Sequence, residues 1–247
     1  IFDRAQDQSW LGTIFQQQAI CLYQAYLDGD TGLVPGDPLE EAWKLAHRAV
    51  EICRERSVRN YPSALNRAAR IIGDREYDQG LELLAEGIIQ ARAIYDGWFW
   101  LANLVEYAEL SYRAWRKTKK AKYRDEITRY RAHVDEAISD YEYPDLQGRW
   151  EVVLGHLGVH DWRATRDDRQ LDSALRHYSA VFRYIADRGH VGSSGAVVIP
   201  GMFTSFHDLF SGLPGHVRAE WVDYLRREWS GPGPGSTMLL ALLEELY

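Results

Sequence analysis

Apolar residues recur at spacings of three and four along most of this chain, and that period limits the possible folds more than any motif does. Trp43, Ala46, Ala49 and Val50 follow it, as do Leu84, Ile88, Ala91 and Ile94, and then Tyr123, Ile127, Tyr130, Val134, Ala137 and Tyr141. A 3.6-residue helix gathers such residues on one flank, whereas a half-buried strand needs alternation, which "AVVI" alone offers briefly. The expected class is all-α.

Breakers punctuate the pattern at regular intervals. "DGDTGLVPGDP" separates a helix over about 9–28 from one over about 38–57, where Asp37 can cap and Pro38 presets the first turn. Pro62 opens a third helix that ends at "GDREYD". Further helices are expected over about 76–95, 98–116, 121–141, 147–165, 170–188, 199–211 and 215–229, with "GPGPG" as a linker and "STMLLALLEELY" as a last short helix. Short connections make neighbours antiparallel, so the expected architecture is an α-solenoid of about five helical hairpins plus a C-terminal capping helix. Residues 1–188 would form the array, and 189–247 a divergent terminal repeat and cap.

One turn is written twice. "GDREYDQGL" at Gly73–Leu81 returns as "DDRQLDSAL" at Asp167–Leu175, pairing Asp74 with Asp168, Arg75 with Arg169, Asp78 with Asp172 and Leu81 with Leu175. Acidic residues there suit the positive end of a helix, and Gly80 or Ala174 would let two helices approach closely. The separation is two units of about 47 residues, and "KYRDEI" at Lys122–Ile127 lies near the intermediate turn. A period in that range is the signature of stacked repeats that share one continuous core.

These segments resemble the tetratricopeptide type of helical repeat, whose turn and second helix read "GDYDKA" followed by an aromatic and a small residue. "GDREYDQG" continues to Leu84 and Gly87, "DDRQLDSA" to Tyr178 and Val181, and "GDPLEEA" to Ala46 and Ala49; Trp98, Leu101, Ala102 and Val105 fit the order of a first helix, and Trp150, Val153, Leu154 and Leu157 fit it less closely. The units are longer than that family's 34 residues, so an elongated HEAT-like array is the alternative. The resemblance implies a non-catalytic interaction module that binds a peptide or partner domain on a concave face built from first helices. It turns Phe99, Asn103 and Glu106 toward that face, Glu151 and His156 add to it from a later first helix, and Trp100 belongs to the same exposed-aromatic candidate, "WFW". By analogy such arrays are sensor parts of larger bacterial signalling or defence proteins, which makes other domains of one longer polypeptide expected partners. The opening at Ile1 reads as part of a longer chain.

Other chemistry is thinly supported. His156 and His160 stand four apart on one helix, the spacing of a zinc pair, but Leu157 occupies the place of a catalytic Glu, so no metal and no cofactor is expected. Glu106 and Glu109 read as a solvated helix face. "YRAWRKTKKAKYR" at Tyr112–Arg124 reads as a basic hairpin tip with Trp115 and Tyr123 turned inward, and "LLALL" as a helix that docks on its own protein. With 29 Lys and Arg against 36 Asp and Glu, a net charge of -7 disfavours nucleic acid as a partner. No apolar run reaches the roughly 20 residues of a membrane span, no signal-peptide pattern fits Asp3, Arg4 and Asp7, and two cysteines form no disulfide framework. The cytoplasm is the expected setting. The competing reading is an all-helical enzyme, carbohydrate-active or a metal-dependent hydrolase, with a cup lined by Trp, His and carboxylates.

Overall fold

The computed structural model describes residues 4–30, 32, 34–73, 75–188, 206–233 and 235–245, and among these it is all-helical without strands. The helices are α1 (Arg4–Leu27), α2 (Pro38–Arg56), α3 (Tyr61–Ile72), α4 (Tyr77–Ala93), α5 (Gly97–Thr118), α6 (Ala121–Asp140), α7 (Pro144–Thr165), α8 (Asp168–Arg188), α9 (described over 206–211), α10 (Gly215–Trp229) and α11 (Ser236–Glu245). The "AVVI" and "GHVGSSG" segments and Asp74 lie outside the described residues. No described helix is long and apolar enough to cross a membrane.

Local chemistry accounts for the helix ends. The Asp37 carboxylate accepts from Leu39 N at 2.9 Å ahead of Pro38, and the Asp96 carboxylate accepts from Phe99 N at 3.0 Å at the start of α5. Helices α4, α5 and α7 are followed by residues in the left-handed region without glycine: Tyr95 at φ 56°, Lys119 at φ 58° and Arg166 at φ 59°. At the first of these, Asp96 N reaches back to Ala91 O, which satisfies a carbonyl at the end of α4.

The chain divides into two compact units, residues 1–142 and 143–247. The sequence-based boundary at 188 therefore falls inside the second unit. Its reason is the packing of α8, whose Phe182 lies 4.8 Å from the Trp229 ring of α10 and 4.9 Å from the Phe206 ring of α9. Leu239 and Leu243 of α11 are buried in the same core, so the "LLALL" helix docks on its own unit.

In the first unit, consecutive helices pack antiparallel, and glycines set how closely they approach. A Cβ on Gly80 would stand 2.7 Å from Leu110, and one on Gly87 would stand 2.7 Å from Asn103, so both glycines of α4 face α5 two turns apart. Alternate helices run parallel. Asn66, Arg70 and Gly73 of α3 and its C-cap meet Asn103, Glu106 and Leu110 of α5 in rising order. Asp78 and Arg92 of α4 likewise meet Lys122 and Glu136 of α6. In the second unit, α7 and α8 form the corresponding antiparallel pair, where Gly155 faces Tyr178 and Gly158 faces Ala174. The duplicated stretch thus joins the two members of an antiparallel pair at both occurrences, between α3 and α4 and between α7 and α8.

Candidate functional site

Helix α3 is buried over most of its surface, including Tyr61 to Leu65, Ala68, Ala69, Ile71 and Ile72. The remainder, Asn66, Arg67 and Arg70, lies at i, i+1 and i+4 and forms one half-buried polar stripe. That stripe meets α5. The Asn66 amide donates to Asn103 Oδ1 at 3.3 Å, and the Asn103 amide donates to Phe99 O at 2.7 Å. Arg70 Nε and Arg113 Nη2 each stand 3.6 Å from the Glu106 carboxylate, so two guanidiniums share one acid. One turn earlier on the same flank of α3, Ser63 donates to Gln16 Oε1 of α1 at 3.0 Å. A polar seam therefore crosses α1, α3 and α5.

Helix α5 carries a long unbroken buried stretch, with every residue from Leu101 to Ser111 buried. Asn103 is fully buried and Glu106 is 4 % exposed, with Glu109 also inside, so the reading of these two glutamates as a solvated face is corrected. Helices α3, α4 and α6 all pack on α5, leaving no water-facing flank for the carboxylates. Trp100 is buried too, with the Arg92 guanidinium 5.2 Å above its ring and the Tyr141 edge 6.2 Å away, whereas Phe99 is half-buried and Trp98 exposed. Glu151 and His156 belong to the second unit. Each is partly buried against α8: Glu151 Oε2 lies 2.6 Å from His177 Nδ1, and His156 Nδ1 lies 2.7 Å from the Tyr178 hydroxyl.

Arg67 was no sequence candidate. Its Nη1 is shut off from solvent and has no hydrogen-bond partner among the described residues. Burial first, and then the like charge of Arg70, hold its proton affinity below the ordinary arginine value. The discernible signal was the pair in "NRAAR", two arginines on one flank of an otherwise small and apolar helix.

The remaining motifs are occupied locally. Trp115 and Tyr123 are buried at the basic tip, with Arg124 and Lys119 over the first ring and Lys122 over the second. Asp167 engages Arg169, and Asp172 engages Arg176. Among the described residues, no three His, Cys, Asp or Glu side chains gather as a metal-ligand set. A groove of about 520 Å³ on α2 is lined by Trp43, His47, Arg48 and Gln79 among others, where Lys44 pairs with Glu41, Glu40 with Arg75, and Arg48 lies over the Phe15 ring. Comparison with family models, curated proteins and solved structures gives no match.

Proposed function

We propose that this chain is a non-catalytic interaction module, a tetratricopeptide-like stack of hairpins whose first helices receive a peptide or partner domain. One observation carries the reading: α1, α3 and α5 meet through polar groups, and α3 and α5 do so in parallel register. Helices that existed only to fill a core would meet through apolar side chains. Since Asn103 and Glu106 are buried, the half-buried edge of that seam, Asn66, Arg67 and Arg70 on α3, is the part that a peptide would meet. Phe99 and Trp98 at the start of α5 add an aromatic edge to it.

Peptide display on the purified chain tests this. Selected peptides should bind saturably and slow hydrogen exchange in α3 and at the ends of α5, and Asn66→Ala should weaken them. If the enriched peptides protect only elements outside α1, α3 and α5, the reading fails.

The second reading, a helical enzyme, is favoured by two α7–α8 contacts, Glu151–His177 at 2.6 Å and His156–Tyr178 at 2.7 Å, since a carboxylate-oriented imidazole can act as a general base. Stoichiometric zinc in the purified protein, or a sharp thermal shift with one sugar of a panel, would favour the enzyme.

A further inference from the structure

On the half-buried stripe of α3, Arg70 reaches a carboxylate and Arg67 reaches none among the described residues. Arg70 divides Glu106 with Arg113, each at 3.6 Å, and Arg67 has neither carboxylate nor hydrogen-bond acceptor at its buried Nη1 among the described residues. A guanidinium keeps its charge, and an N–H of a cation cut off from water without an acceptor is costly. Arg67 and Arg70 are three residues apart, so their planar forks project from one flank of the helix, one turn from each other. Asn66 beside them spends its amide on Asn103, which leaves the solvent-reached parts of the two half-buried arginines as the groups a ligand can approach.

We propose that Arg67 and Arg70 form an oxyanion site, which takes a carboxylate or phosphate group, either free or carried by a bound partner. The proposal rests on the reading of this face as a binding surface, and it names the chemistry that surface selects. A bound oxyanion would accept from the part of the Arg67 guanidinium that solvent reaches, and its charge would offset the repulsion between the two neighbouring guanidiniums.

The test titrates the full chain with inorganic phosphate, with a glutamate-rich hexapeptide and with its glutamine counterpart, at constant ionic strength in sodium chloride. Tryptophan fluorescence and thermal shift provide the readouts. Phosphate or the glutamate peptide should bind saturably, and the glutamine peptide at least tenfold more weakly. Phosphate binding alone would identify a free anion as the ligand's source, and preference for the peptide a carboxylate side chain. Arg67→Gln should reduce affinity about tenfold or more, while Arg163→Gln, exposed on α7, should leave it unchanged. Arg67→Met should fold with an undiminished melting temperature in the ligand-free state, because it removes an unpaired group; a large drop would mean that Arg67 has a structural partner and would overturn the assignment. Equal binding by wild type and Arg67→Gln, or no saturable binding of any probe, would overturn it as well. If display-selected peptides bind α3 and α5 without acidic side chains, the interaction reading stands and the anion site falls. If phosphate binds at Arg67 but no peptide binds, the anion site stands without that reading.

Discussion

Two glycines on one helix should respond oppositely to the same substitution. Gly148 and Gly155 both lie in α7, and replacing either with alanine gains helix propensity of about 0.8–1.0 kcal/mol. At Gly148 a new Cβ meets no atom of the described residues within 4 Å, so Gly148→Ala should stabilise by about 1 kcal/mol. At Gly155 it would sit 2.4 Å from Tyr178 Cε1 and 2.7 Å from Cδ1. The ring is fully buried, so it has to move by about 1 Å within a packed core, at about 1–3 kcal/mol. That movement also pulls the hydroxyl from His156 Nδ1, now at 2.7 Å, at a further cost of about 1 kcal/mol. After subtracting the propensity gain, Gly155→Ala should destabilise by about 1–3 kcal/mol, a spread of about 2–4 kcal/mol between the two variants. Both report on the second unit, so urea unfolding followed by circular dichroism compares them directly, provided the slopes agree. Gly155→Ala as stable as the parent would mean that Tyr178 does not close the approach of α7 to α8.

Tyr95 is 92 % exposed at φ 56°, so Tyr95→Gly should raise the stability of the first unit by about 1 kcal/mol in urea unfolding. Asn103→Ala should lower it by about 1–3 kcal/mol, because it strands Asn66 and the buried end of the seam. Burial pushes the Cys53 thiol and the Tyr107 phenol upward, the phenol also through its bond to the Glu126 carboxylate, so the folded chain holds these protons longer than the unfolded one. Their contribution is complete below the ordinary values of 9.0 and 10.0 and is lost as pH rises beyond them, so the urea midpoint should fall above about pH 9, less so in Tyr107→Phe. In the native protein a disulfide reagent should label the exposed Cys21 promptly and Cys53 only on unfolding, as mass spectrometry of labelled peptides would reveal.

The helices and their antiparallel pairing were legible because both are local: a 3.6-residue period supplies the flank, and Pro, Gly and Asp supply the ends. The caps at Tyr95, Lys119 and Arg166 were not, since none is the glycine that marks a left-handed residue. Glu106 and Glu109 look like surface residues by type, and only the neighbours packed around α5 put them inside. Asn103 and Glu106 could be singled out as polar positions on a first helix, but their partners Asn66 and Arg70 lie on α3, beyond the reach of any local pattern. The division after Glu142 was equally hidden, because "YEYPDLQG" resembles the other breaks and the ties of α8 to α9 and α10 are tertiary.

The enclosure of Leu101 to Ser111 makes α5 the clock of its unit. Fraying of α1 or breathing at a hairpin tip can admit water to a few turns. The middle of α5 is wetted only when its neighbours α3, α4 and α6 come away together. The lifetime of those amide protons is therefore the lifetime of the folded unit, and a substitution that speeds their loss has loosened the whole assembly around them.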